Sequence, residues 1–472
     1  MNRFIAVAIS MLLPAAASGG QHEHHTTPEP APSTAELPRL GKSQENPENP
    51  LVELAELERL AFENNPTLAQ ARAEIRTGEA RRLQSGLYPN PTAGYVGEEI
   101  RGGSPEGGQH GFFVSQTLVL GGKLGLNQEI AGHDVRISEL EAEEQRLRVT
   151  NGVKLAFYRV LAAQEMLDLE RDLLAIAEDK LRTEGELRNL GQVDDAELLQ
   201  VEVEHQHREM TVAIRESALR QAWRSLAAIV GVPDLPARTA AGNLEEVPAA
   251  LDEARVLERL TRESPAVLIA QEVVNRARAQ ITRAEKEPIP NLELRGGLQN
   301  NREILESTGV RVGLQGFLEV GVPLPLFNRN QGSVAAAEAQ LERSVREVER
   351  VALVLRERAS SHFEVYETSR IMVERYRGEL LPRARRAYEL RVEGHGLMLA
   401  SYPQVLEARA RLFELQAEYV SALEMQWMNA VALSGLLLTD GLEAPARPGD
   451  VDLPVREINV PTLPRAMERN QD

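Results

Sequence analysis

The chain is written twice. Pro66 and Pro89 stand 23 residues apart, and so do Pro265 and Pro288; "ENNPTLAQARAEI" around the first answers to "RESPAVLIAQEVV" around the third. Toward the end of each half, "AWRSLAAIVG" answers to "QWMNAVALSG", and Trp223 and Trp427, the only 2 tryptophans, each precede a glycine by 8 positions. A duplication constrains the fold more than any local pattern, because each copy must supply the same elements in the same order. Residues 51–247 and 248–440 read as the two repeats.

Within each repeat an amphipathic helix runs to a P-x-P segment, two alternating strands follow, and a long helical run with one interruption completes the unit. The strands are expected at about Thr92–Ile100 and Gly111–Leu120, joined by "RGGSPEGGQHG", and at about Asn291–Asn300 and Val310–Val322. In the last of these, Val310, Val312, Leu314, Leu318, Val320 and Val322 share one parity, and Arg311, Gln315 and Glu319 share the other. Leu292, Leu294 and Leu298 extend the apolar parity. Such strands have one apolar and one wet face.

From Leu124 to Leu190 there are 67 residues without proline, a helical rod of about 100 Å. Val153, Val160, Leu167, Leu174 and Leu181 recur every seventh position, as do Leu406, Phe413, Val420 and Trp427, which is coiled-coil spacing. The breaks at "NLGQVDD" and "VEGHGLMLASYP" read as turns where an antiparallel rod returns. Where strand gives way to helix, Pro323 and Pro325 end one ladder, since proline has no N–H to donate. Gly121 and Gly122 make the other joint with permissive backbone angles.

A chain of 472 residues exceeds one compact core, so several lobes or an elongated body are expected. An aromatic content of 4% with 26% charged residues suits solvated helices, and a formal charge of -18 excludes nucleic acid as a partner. Residues 1–18 read as a secretory signal, 19–50 as an extended leader and 441–472 as an extended tail. The absence of cysteine excludes disulfides, thiolate metal sites and lipid attachment at an amino-terminal cysteine. Beyond the signal no segment is long and apolar enough for a membrane helix, so any entry into a membrane is by strands. Bacterial barrels have at least about eight strands and must be closed. Four strands require several copies to pool them, and the same copies would pool their helical rods into a tube.

No Ser/His/Asp order, H-E-x-x-H motif or phosphate-binding glycine loop occurs, so an enzyme is not expected and no cofactor is implied. His22, His24 and His25 in the leader offer imidazole nitrogens of the kind that hold zinc or copper; the other reading is a polar tail that binds nothing. His205 and His207 fall on different helix faces and make a poor chelating pair.

"ENNPTLAQARAEIRTGEARRLQSGLYPNP", "SQTLVLGGK" and "VPLPLFNRNQG" resemble the hallmark segments of TolC-like outer-membrane efflux proteins, the last resembling the heavy-metal (CzcC-like) branch, and the resemblance covers Leu51 to about Leu438. It implies a mostly α fold with a small membrane β portion: a homotrimer whose twelve-stranded barrel in outer-membrane lipid continues as a periplasmic α-helical tunnel. It also implies partners, a periplasmic adaptor and an inner-membrane pump of the resistance-nodulation-division type. Many relatives carry a lipidated amino-terminal cysteine, which is not carried over here. At the tunnel tip, Leu190, Gly191, Val392 and Gly394 match the places that meet the adaptor; alternatively the glycines only permit the turns. Glu407, with Asp194, Asp195 and Glu197, matches acids that constrict the lumen and favour cations, although Gln404 stands where some relatives have a second acid. A solvated outer face is the other reading of those acids. Heavy-metal cations are the expected cargo, with drug export or type I protein secretion as alternatives, and a periplasmic coiled-coil tether without a pore as an alternative of another class.

Overall fold

The computed structural model describes residues 51–100, 108–247, 250–304 and 310–445. The signal, the leader with His22, His24 and His25, and the tail beyond residue 445 lie outside the described residues.

Each repeat opens on a broken helix. β1 (Leu51–Val52) leads into α1 (Leu54–Asn64), which stops at Asn65 because the residue before a proline avoids helical angles. The Asn65 side-chain oxygen accepts from Thr67 N–H at 2.9 Å and starts α2 (Pro66–Ser85), with Pro66 in the first turn where its missing N–H costs nothing. In the second repeat α5 (Glu253–Glu263), extended Ser264 and α6 (Pro265–Lys286) repeat the break before proline, without a side-chain cap from Ser264. The single amphipathic helix expected ahead of each P-x-P segment is therefore two.

β2 (Thr92–Glu98), β3 (Gln109–Leu118), β5 (Leu292–Ile304) and β6 (Arg311–Gly321) form one antiparallel sheet in the order β2-β3-β5-β6. Each repeat contributes one hairpin, and the two join through β3 and β5, paired from Gln109↔Asn301 to Leu118↔Leu292. β5 runs past the expected Asn300 because a register shift between Asn301 and Ile304 lets pairing with β6 resume at Arg311.

α3 (Lys123–Asn189) is one unbroken helix of 67 residues, and α4 (Asp195–Val230) returns along it. Arg171–Glu216 at 3.0 Å, Lys180–Glu204 at 2.8 Å and Arg188–Asp195 at 2.7 Å mark the antiparallel register. The second repeat builds its long arm from α7 (Gln331–Arg375), a π-helical turn (Tyr376–Leu380) and α8 (Leu381–Gly396). Pro382 can neither donate nor tolerate a normal turn before it. Leu381 N–H reaches back five residues to the Tyr376 carbonyl, and the widened turn lets the helix continue through the proline. α9 (Tyr402–Ser434) returns, with His362–Asn429 at 2.8 Å and Tyr376–Glu418 at 2.6 Å across the pair.

The core lies where these helices cross α1 and α2. Val153, Val160 and Leu167 are buried with Leu406, Phe413, Val420 and Trp427, so the heptad reading holds there. Further along α3 the buried positions move to Leu169, Leu173 and Ile176, while Leu174 and Leu181 are only half-buried. A helix drifts about 20° per heptad, which displaces the stripe unless a partner supercoils to follow it. Both indoles tie their helices to the segment linking the repeats: Trp223 Nε1–H donates to the Leu235 carbonyl at 3.1 Å, and Trp427 Nε1–H to that of Leu244 at 2.8 Å. That segment carries β4 (Thr239–Ala240), which pairs with β1. Buried Asn151 donates to the carbonyls of Gly435 and Leu438, fastening α3 to the end of α9. The repeats therefore share one core and are not separate lobes.

Candidate functional site

The sheet sorts its residues by parity. In one register row Tyr95, Phe112 and Leu298 stand side by side, in the next Val114 and Leu318, and in the next Leu294 and Val320. Tyr95, Phe112, Val114, Leu298, Leu318 and Val320 are exposed. The alternate rows carry Ser115, Arg295 and Glu319, then Phe113 and Phe317 set between glycines, then Val96, Gln299 and Gln315, then Gln109 and Asn301, a face that is polar apart from that aromatic band and Val96. Among the described residues β2 and β6 each leave one edge without a partner strand. A sheet with a bare apolar face and two open edges is unstable as a lone element in water.

Two elbows join sheet to helix. Gly121 (φ 74°) and Gly122 (φ 69°) turn β3 into α3 with left-handed backbone, as their sequence suggested. The second elbow is longer: β6 ends at Gly321, Pro323 and Pro325 follow, and the left-handed step falls on Asn330 (φ 63°), which precedes α7. The Asn330 amide donates to the Ala284 carbonyl at 2.8 Å, which holds the turn against α6. The prolines stop pairing, but the turn itself is made by an asparagine that the sequence reading passed over.

The helical reversals at the other end are built alike. After α3, Gly191 N–H donates to Arg188 O at 2.8 Å and Gln192 N–H to Leu187 O at 2.9 Å, with Gly191 left-handed (φ 73°). After α8, Met398 N–H donates to His395 O at 3.0 Å and Leu399 N–H to Gly394 O at 2.7 Å, with Met398 left-handed (φ 59°). Both are Schellman closures. The counterpart of Gly191 is thus Met398. Val392 and Gly394, expected in this turn, lie in the last turns of α8, and the reversal occupies Leu397–Ala400. Leu190, Leu397 and Leu399 are exposed, and Met398 is 95% exposed. The tip of the second repeat is therefore the more apolar.

The four acids near the tip have unequal surroundings. Asp194 caps α4, its Oδ1 accepting from Glu197 N–H at 2.8 Å, and Asp195 is paired with Arg188. Glu197 is exposed, and so is Glu407, although its neighbours Val405 and Leu406 are buried. Gln404, in the place of a second acid, completes the capping box with Ser401 and accepts from Arg391 at 3.4 Å. Farther from the tip, Arg208 on α4 reaches Glu170 on α3 at 3.5 Å and Glu414 on α9 at 3.2 Å, and so ties together three helices from both repeats. The Glu170 side chain is only 8% exposed. Burial raises the pKa of Glu424 on α9, against the opposing pull of Arg159 and Arg215. No sequence pattern announced these ties, because their members are distant along the chain.

His205 is half-buried and His207 exposed, as expected of different helix faces. Among the described residues no helix is long and apolar enough to cross a membrane, and no cluster of three or more metal-ligating side chains occurs.

The sequence profile of the family described as "Outer membrane efflux protein" matches residues 57–232 and 256–437, one segment in each repeat. The cobalt-zinc-cadmium resistance protein CzcC of Cupriavidus metallidurans is 23% identical over 380 residues, 80% of this chain and 88% of that protein. A crystal structure of CusC superposes with a TM-score of 0.65 at 18% identity, covering 85% of this chain and 96% of that one. The Campylobacter jejuni CmeC outer membrane channel gives 0.65 at 17% identity, covering 84% and 87%. The open Neisseria gonorrhoeae MtrE outer membrane channel gives 0.65 at 19%, covering 83% and 90%. With both repeats matched and four strands set between long helical hairpins, the chain belongs to the outer membrane efflux protein family and has the fold of its TolC-like channels.

Proposed function

We propose that the protein is the passive exit duct of a tripartite efflux system, acting as a homotrimer and conducting heavy-metal cations. The observation that carries the duct is the sheet, with four strands, two open edges, one apolar face and one polar face. In lipid every backbone polar group must be paired, so strands of several copies have to close on one another. Three copies give twelve strands, with the apolar rows toward lipid and the polar rows lining the lumen. The helical hairpins then surround a periplasmic tunnel on the same axis, and a tether without a pore has no use for such a sheet.

At the far end, the reversals at Leu190–Asp194 and Leu397–Ser401 meet a periplasmic adaptor, which couples the duct to an inner-membrane pump of the resistance-nodulation-division type. Val392 and Gly394 support the second reversal from within α8. Three copies of Glu407, with Glu197 as the next ring, place negative charge in a narrow mouth and favour cations. Similarity to a cobalt-zinc-cadmium resistance protein supports metal as cargo.

The test is susceptibility of a strain lacking this protein. It should become sensitive to cobalt, zinc or cadmium and regain resistance with the wild-type chain but not with Gly191→Trp, which should still form trimers. Glu407→Gln should restore resistance only in part. Unchanged metal tolerance with new sensitivity to dyes or antibiotics would replace metal by drug export, and unchanged tolerance to both would remove the efflux role.

A further inference from the structure

A band of glycine and phenylalanine crosses the polar face of the sheet. Gly94, Phe113, Gly297 and Phe317 occupy one register row across all four strands. Both rings lie down over the glycines: a Cβ on Gly94 would stand 2.7 Å from the Phe113 ring, and one on Gly297 would stand 2.7 Å from the Phe317 ring. The bare glycines give the rings a flat seat.

One row nearer the elbows, Arg295 stands between Ser115 and Glu319. Its guanidinium carbon lies 4.3 Å from the Phe113 ring centre and 5.8 Å from that of Phe317, and its Nη1 is 3.6 Å from Glu319 Oε2. Stacking on an aromatic face together with a carboxylate partner gives a long side chain a definite place. The row beyond adds Glu293, exposed and of the same parity.

We propose that Arg295 is a specificity-determining residue of the duct: a cationic group fixed on the luminal face at the base of the barrel, which lowers the preference for small cations that Glu319 and Glu293 would otherwise impose. The proposal rests on the reading that the polar face lines the lumen. Three copies make a ring of arginines seated on phenylalanines, so ions are sorted by charge at the barrel as well as at the helical tip.

The chain has no cysteine, so a single introduced thiol reports local potential without background. Gln315→Cys lies on the same face two rows from Arg295, just past the phenylalanines and away from the elbows, and Leu314→Cys lies on the opposite face. The assay compares labelling rates by cationic and anionic methanethiosulfonates at low salt, with the purified protein in lipid nanodiscs. A unit charge about 13 Å away in water changes the ratio of the two rates about threefold. Arg295→Gln should therefore raise the cationic-to-anionic ratio at Gln315→Cys about threefold, Glu319→Gln should lower it, and Arg295→Lys should leave it near the parent value. A ratio that does not move in Arg295→Gln, or that moves equally in Arg295→Lys, would overturn the charge filter and leave only packing. If Leu314→Cys reacts and Gln315→Cys does not, the assignment of the luminal face fails first, a different result from failure of the filter.

Discussion

Leu318→Arg is the substitution that asks most of the assigned lipid face. Leu318 is 78% exposed and shares its row with Val114, midway between the Leu118–Leu292 row near the elbows and the Leu314 row near the β5–β6 connection. An arginine at the bilayer midplane of a barrel costs about 2–4 kcal/mol, and three copies suffer it together, so a trimer loses about 6–12 kcal/mol. Leu314 is equally apolar but its row carries Asn300 and His110. It lies four residues further along the strand, about 13 Å, or about 10 Å of depth at a tilt of about 40°. There the same arginine costs about 0–1 kcal/mol. Gln315→Arg, on the wet face, should cost least. The assay is the yield of heat-modifiable trimer in outer-membrane fractions, followed by urea unfolding in vesicles. The expected order of damage is Leu318→Arg, then Leu314→Arg, then Gln315→Arg. Equal yields from Leu318→Arg and Gln315→Arg would refute the assignment of faces.

Arg208→Ala should lower the unfolding free energy by about 3 kcal/mol, because Glu170 is left buried with only Arg215 at 3.9 Å; Glu170→Gln in the same chain should recover most of the loss in a denaturant titration. Glu424→Gln should stabilise the protein at neutral pH, where the folded state holds an ionised carboxylate against the burial that raises its pKa above the ordinary 4.5. As pH falls through the raised folded pKa the wild type takes up the proton and gains stability, so the advantage of the variant should shrink and vanish below the unfolded value; an advantage that grows on acidification would contradict the cause assigned. Met398→Gly should relieve about 1 kcal/mol of left-handed backbone cost while losing no packing, and should slow hydrogen exchange at the amides of residues 398 and 399 about fivefold. If adaptor binding weakens while exchange slows, recognition there resides in the methionine side chain and not in the shape of the turn.

Most of this architecture was legible because it rests on periods. Alternation in Val310–Val322 gave the faces of β6, and seventh-residue spacing gave the buried line Leu406, Phe413, Val420 and Trp427. Glycine at a strand-to-helix joint was a sound guide at Gly121 and Gly122, where left-handed angles are needed. At the helical reversal of the second repeat glycine was a poorer guide: Gly394 sits in helix, while Met398 takes the left-handed angle. Glycine lowers the cost of that conformation but does not compel it, and a closed turn supplies hydrogen bonds enough for methionine to bear it. The π-helical turn before Pro382 was hidden because a proline normally ends a helix. The Arg208 tie and the seat of Arg295 were invisible, since both depend on which distant residues the fold brings together. All four acids expected at the tip are exposed, but Asp194 and Asp195 are engaged in the local turn by a helix cap and an ion pair.

The proposed duct requires β6 of one copy to close on β2 of the next until three copies form a ring. Because the chain has no cysteine, pairs of introduced thiols report that contact alone. Val96→Cys on the open edge strand β2, combined in turn with a cysteine at each position from Leu314 to Leu318 on β6, should give in at least one combination a disulfide-linked species three chains in mass after oxidation in outer membranes and boiling in detergent. The product should stop at three, and either cysteine alone should give single chains. A ladder ending at two chains, a ladder extending beyond three, or single chains at every register would contradict the closed trimeric barrel.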